Sequence, residues 1–76
     1  MGRCAFEDRG SDSDGRIWKC RLVGGGILGY VAWFAVVGGY GFLSATADMV
    51  LGGDCLLEIG RFVKRANAAR KGAGGP

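Results

Sequence analysis

The sequence predicts an all-α fold, in which a single transmembrane helix continues into an amphipathic C-terminal helix. The first observation is an uncharged, mostly apolar run from Leu22 to Ala47. As a helix this run would be about 39 Å long, which is more than the hydrocarbon core of a bilayer requires. The second observation is Trp18 beside Lys19 and Arg21, an aromatic and basic group typical of a headgroup boundary. The third is helical periodicity in the residues that follow the run.

The first half of the chain divides at the start of the uncharged run. Residues 1–15 lack apolar periodicity and are predicted to form a short irregular N-terminal arm. Residues 16–47 are predicted to form the transmembrane helix, with the span itself at about residues 22–47 and Ser13 or Asp14 as its cap. The run is longer than the apolar core of a signal peptide, so a permanent span is expected.

The second half is predicted to leave the membrane as a helix. Asp54, Glu58, Arg61 and Arg65 recur at helical spacing, which indicates an amphipathic extension over residues 48–70. Residues 71–76 then form a flexible glycine-rich tail. A helical hairpin with its turn at residues 38–41 is the alternative topology, although its second arm would carry several carboxylates into lipid.

Small residues recur along the uncharged run, mainly at intervals of seven positions. Membrane helices associate through close backbone approach, which small side chains permit. The sequence therefore predicts a helix-packing interface, although its glycine-rich composition alone is the other explanation. The predicted interface consists of Gly25, Gly29, Ala32, Gly39, Thr46, Gly53 and Gly60. Large side chains on the opposite side would contact lipid, a pigment or a second neighbour, and these are Ile27, Tyr30, Trp33, Phe34, Val37 and Phe42.

The predicted membrane boundaries are marked by polar and aromatic residues at the two ends of the span. Trp18, Lys19 and Arg21 mark its start, and Asp48 marks its exit. An acidic side chain at that depth is expected either in headgroup water or paired with a basic group of a partner.

The residues that usually carry catalysis or bind metals are absent or scattered in this sequence. There is no histidine, and the three cysteines, Cys4, Cys20 and Cys55, are far apart along the chain. Asp12 and Asp14 resemble part of a calcium loop, but the remaining ligand positions do not fit. We therefore expect no catalytic, metal-binding or cofactor-binding residue and no intrinsic cofactor, and the protein is predicted not to be an enzyme.

The net charge of +3 does not by itself select a partner. The basic C-terminal segment lacks the stacking aromatics of nucleic-acid modules, so no nucleic acid is expected. The expected partners are membrane lipids and other transmembrane subunits of a hetero-oligomeric complex.

One predicted span with short arms resembles, in architecture, the small accessory subunits of respiratory, ATP-synthase or photosystem complexes. That resemblance implies a structural subunit of the mitochondrial inner membrane or the thylakoid. Two alternatives stay open at this point. One is a self-associating membrane protein, either a virion coat or a pore-forming oligomer, and the other is a regulatory micropeptide of a transporter.

Overall fold

The computed structural model describes residues 3–73, which form a four-stranded antiparallel sheet followed by one helix. The elements are β1 (Cys4–Ser11), β2 (Arg16–Leu22), β3 (Ile27–Phe34), β4 (Gly39–Ser44) and α1 (Gly53–Ala73). The strands lie side by side in sequence order, and a single-turn 3₁₀ helix at Ala35–Val37 separates β3 from β4. The architecture is therefore an α+β fold of two layers, with the sheet as one layer and α1 as the other.

The predicted all-α fold with one transmembrane helix is wrong, because residues 22–47 form strands and turns. Within residues 3–73, no helix combines the length and the apolar character that crossing a bilayer requires. This finding also overturns the predicted accessory membrane subunit, its two membrane or transporter alternatives and the organelle-membrane location. The residues expected to be an irregular arm contain β1.

Helix α1 overlaps the predicted amphipathic extension of residues 48–70, but it begins at Gly53 and reaches Ala73. Asp48 lies in the connection between β4 and α1 and not at the exit of a span. Residues 74–76 of the predicted tail lie outside the described residues.

Glycines in the uncharged run break it into hairpins. Gly24 has a φ of 76° and Gly38 a φ of 67°, left-handed values that residues with a side chain rarely adopt. In the β2–β3 turn the Gly25 amide donates to the Leu22 carbonyl at 2.9 Å, and the Leu22 amide donates to the Gly26 carbonyl at 3.1 Å. The cost of glycine in a helix does not apply here, because these residues form the turns of a sheet.

Side chains alternate between the two faces of the sheet, as they do along any strand. We call the face covered by α1 the inner face and the opposite one the outer face. On β2 the inner face carries Trp18, Cys20 and Leu22, which pack in the core, and the outer face carries Lys19 and Arg21.

The core lies between the inner face and α1 and has two adjoining parts. One part is built on Cys20, Leu28 and Ile59. The other is built on Val31, Tyr40 and Ala66. Phe6, Phe42 and Val63 pack against both parts, so the two parts form one continuous apolar layer.

Candidate functional site

The outer face of the sheet is the candidate site, because α1 packs on the inner face and no described element packs on the outer one. Because side chains alternate between the two faces along each strand, the strand register shows which residues belong to the outer face. They are Ala5, Glu7, Ile17, Lys19, Arg21, Ile27, Tyr30, Ala32, Phe34, Gly41 and Leu43. A sheet face that packs on nothing normally carries polar side chains, so the apolar members of this face require an explanation.

The apolar half of the outer face lies on β3 and β4. Leu43 is 56% exposed, Ile27 47% and Tyr30 38%, and Tyr30 and Leu43 are direct cross-strand partners. A Cβ placed on Gly41 would lie 3.4 Å from the Phe34 ring and 3.6 Å from Val37. Phe34 and Val37 therefore project over Gly41 and extend the apolar surface towards the 3₁₀ turn.

The charged half of the outer face lies on β1 and β2. Arg21 Nε lies 2.7 Å from a Glu7 carboxylate oxygen in an ion pair, and the Lys19 ammonium lies 3.6 Å from the other oxygen of the same carboxylate. Two basic side chains thus share one acidic partner. The outer face has an apolar half and a weakly positive half side by side, which is the arrangement of an interface centre and its rim.

The two edges of the sheet are partly closed by side chains of α1. At the β4 edge the Tyr40 amide donates to Asn67 Oδ1 at 2.7 Å, and Asn67 Nδ2 donates back to the Tyr40 carbonyl at 3.3 Å. At the β1 edge the Glu58 carboxylate accepts the Arg3 amide at 2.8 and 2.9 Å and the Cys4 amide at 3.0 Å. These backbone donors hold the pKa of Glu58 below its usual value. Backbone groups that could pair with another strand are satisfied at these points, which leaves the outer face as the open surface.

The three cysteines, which are far apart in sequence, lie on three elements that border the core. Cys20 on β2 is buried in the core, Cys4 on β1 packs against the same part of it, and Cys55 is buried in the first turn of α1. Burial raises the pKa of Cys4 to about 12. Within residues 3–73, no group of His, Cys, Asp and Glu side chains is arranged to hold a metal ion. Sequence spacing gave no signal for this arrangement, because only the pairing of β1 with β2 and the return of α1 create it.

An aromatic group fills the inner face next to β4. The Trp18 ring contacts the Phe62 and Tyr40 rings edge-on at 5.1 and 5.5 Å between centroids, and the Arg70 guanidinium lies 3.9 Å from the centroid of Trp33. Trp18, predicted at a membrane boundary, is therefore a core residue of the sheet.

The residues predicted to form a packing stripe are distributed over the whole fold. Ala32 alone lies on the outer face within β3. The others lie in the β2–β3 turn (Gly25), on the inner side of β3 (Gly29), at the start of β4 (Gly39), in the β4–α1 connection (Thr46) and in α1 (Gly53 and Gly60). The structure does not bring these residues together.

Comparison with known protein families, curated proteins and solved structures gives no match to this chain. Function must therefore be inferred from the geometry of the described residues.

Proposed function

We propose that this domain is a small protein-interaction module, and that its outer face docks the outer face of a second copy of the same chain. The observation that carries the proposal is the exposed apolar half of the outer face, centred on Tyr30 and Leu43. Two-layer folds bury one face of the sheet, and an apolar second face marks a surface that gains free energy by being covered.

Shape favours another sheet as the occupant. Sheets stack face to face at about 10 Å, with the side chains of the two faces interdigitating. A second copy supplies such a face, and a two-fold axis would place the β3–β4 half of each copy on that of the other. The paired charges of Glu7, Lys19 and Arg21 would then lie at the rim, where they stay in water.

The size of the face supports a weak dimer. Four strands at about 4.8 Å spacing and about 20–25 Å in length give a projected face of about 400–500 Å². Standard stable interfaces bury about 800 Å² on each partner, so even the whole outer face is smaller than a standard interface and has the size of a weak or transient contact. We therefore expect association that depends on concentration and not a permanent dimer.

Sedimentation velocity of the full chain across a concentration series tests the proposal. The variant is Leu43→Lys, which places a charge in the centre of the apolar half. Leu57→Lys on α1 is the matched control, because Leu43 and Leu57 are both 56% exposed. We expect the natural chain and the Leu57→Lys variant to show a rising sedimentation coefficient with concentration, and the Leu43→Lys variant to stay monomeric.

Two results would overturn the proposal. One is a chain that remains monomeric at every concentration. The other is equal loss of association in both variants, because the contact would then not depend on the outer face. Circular dichroism of each variant shows that the fold is retained.

A further inference from the structure

The side of α1 that faces away from the sheet carries a group of basic side chains. Cys55, Ile59 and Ala66 mark the buried side of this helix. The opposite side is exposed, and its residues recur at helical spacing. We call this surface the basic stripe, and it consists of Leu57, Gly60, Arg61, Lys64, Arg65 and Ala68. Because α1 covers the inner face, the basic stripe and the outer face lie on opposite sides of the molecule.

The two carboxylates of α1 do not neutralise the basic stripe. Glu58 accepts the backbone amides of Arg3 and Cys4, and Asp54 lies 3.6 Å from the Arg3 guanidinium in an ion pair. Both carboxylates are therefore used at the β1 edge. Among residues 3–73, the basic members of the ion pairs are Arg3, Arg16, Lys19 and Arg21, so no cation of the basic stripe belongs to one.

The three cations of the basic stripe are close neighbours. Arg61 precedes Lys64 by three residues and Arg65 by four, and helical residues at these spacings have Cβ atoms about 5–6 Å apart. Like charges at such spacings destabilise a helix. A partner with several negative charges would replace this repulsion by attraction, so charge complementarity selects an anionic partner.

The rest of the basic stripe favours a helix as that partner. Gly60 and Ala68 are small, so a second helix can approach to the usual interaxial distance of about 8–10 Å. Carboxylates four residues apart on that helix would match the spacing of Arg61 and Arg65. Leu57, which is 56% exposed, adds an apolar residue at the start of the basic stripe, and an apolar side chain of the partner would cover it.

Two other anionic partners fit the basic stripe less well. A nucleic acid would leave Leu57 uncovered, and Phe62, the one aromatic residue of α1, stacks on Phe6 at 4.0 Å between ring centroids and is not available to a base. Amphipathic helices bind membranes by burying their apolar side in lipid. The apolar side of α1 is already packed on the sheet.

We propose that the basic stripe binds an acidic amphipathic helix of a partner protein, with carboxylates against Arg61, Lys64 and Arg65 and an apolar side chain against Leu57. An antiparallel orientation places the N-terminal turns of the partner, where acidic residues are favoured, beside these cations. Exposed charge pairs are individually weak and are screened by salt, so the complex should be transient and salt-sensitive.

Fluorescence anisotropy of a labelled peptide with the full chain tests the proposal. The probe is an alanine-based helical peptide with glutamates four residues apart in its first half and leucine in its second, and the reference peptide has glutamine in place of each glutamate. The natural chain should bind the glutamate peptide, and added salt should weaken that binding. Arg61→Gln and Arg65→Gln should each weaken it about two- to five-fold.

Arg9→Gln is the matched control, because Arg9 is an exposed cation of β1 that belongs to no ion pair among the described residues. It removes the same charge and should leave the affinity for the glutamate peptide unchanged. The Leu43→Lys variant should also retain binding, because the outer face takes no part. The peptide result and the sedimentation result can therefore fail separately.

Three results would overturn the proposal. The first is equal affinity for the glutamate and glutamine peptides, and the second is equal weakening by Arg9→Gln and Arg61→Gln. The third is tighter binding, at the same salt concentration, to a short DNA duplex or to vesicles of equal parts phosphatidylserine and phosphatidylcholine than to the glutamate peptide.

Discussion

At the scale of single residues, glycines act in opposite ways at different places in this fold. Gly29 on β3 faces the core, where a Cβ would lie 2.7 Å from the Phe42 ring and would also overlap the Leu43 carbonyl. Gly60 on α1 is exposed, and a Cβ there would meet no described atom within 4 Å. Gly29 is required because neighbouring atoms approach its backbone closely, whereas Gly60 only weakens the helix that contains it.

Alanine substitutions at these two glycines should change stability in opposite directions. We expect Gly29→Ala to lower the free energy of unfolding by about 1–3 kcal/mol, because it overpacks a closed site. Gly60→Ala should raise that free energy by about 0.4–1 kcal/mol, because alanine restricts the unfolded chain and favours the helix. Urea unfolding measures both. A Gly29→Ala variant as stable as the natural chain would show that β3 and β4 are not packed as described.

Glu58 should make stability depend on pH in the acidic range. Its folded pKa is lowered by the amides of Arg3 and Cys4, so its contribution is present above the ordinary carboxyl pKa of about 4.3. That contribution is lost as the pH falls through the lower pKa of the folded state. Glu58→Gln should therefore be less stable than the natural chain at pH 7, and the difference should shrink as the solution is acidified.

Urea unfolding at several pH values measures this difference, with Asp48→Asn as the control. Asp48 is an exposed carboxylate in the β4–α1 connection. A gap between Glu58→Gln and the natural chain that stays constant down to strongly acidic pH would contradict the assigned role of the carboxylate.

At the scale of secondary-structure elements, α1 holds both edge strands through polar side chains. Asn67 satisfies both backbone groups of Tyr40 on β4, and these groups would otherwise lie partly buried without partners. Leaving a buried backbone group unpaired costs about 1–3 kcal/mol. We expect Asn67→Leu to destabilise the fold by about that amount and to speed amide exchange at Tyr40. Lys64→Ala, an exposed change on the same helix, should leave that exchange slow, and equal exchange in both variants would contradict the edge contact.

The strands β3 and β4 explain why sequence patterns pointed to a membrane helix. A strand with one polar face is recognised by alternation, but here Tyr30 and Leu43 on the outer face are large and uncharged, as are Val31 and Phe42 on the inner one. The sequence therefore shows no alternation of polar and apolar residues along these strands, and residues 22–47 look like one continuous apolar run. The feature that concealed the strands is the same one that marks the candidate site.

Other parts of the fold left clearer signals in the sequence. The glycine triplet at residues 24–26 and the pair at Gly38 are typical of hairpin turns, and from Trp18 to Leu22 strand β2 alternates between core residues and charged ones. The polar stripe from Asp54 to Arg65 lies on α1. The outer face and the arrangement of the cysteines had no local signal, because each is assembled from strands or helix that only the tertiary fold brings together.

At the scale of the whole molecule, a single helix can cover only one side of a four-stranded sheet. Chains of 76 residues bury a modest fraction of their surface, so covering an apolar face that the helix leaves open would add to that burial. Self-association would bury the apolar part of that face against a second copy, so that no additional chain is needed to cover it. Such an interface requires residues 22–47 to form strands and turns and not a helix.

Nuclear magnetic resonance of the full chain in detergent-free buffer distinguishes strands from a helix in residues 22–47. Because the Tyr40 backbone groups bond to Asn67 and not to β3, Val31 and Phe42 form a non-hydrogen-bonded pair, in which the two Cα atoms are about 4.5 Å apart. We expect a strong cross-strand Hα–Hα contact between Val31 and Phe42. Helical contacts between residues three apart, running from Ile27 to Ser44, would contradict it.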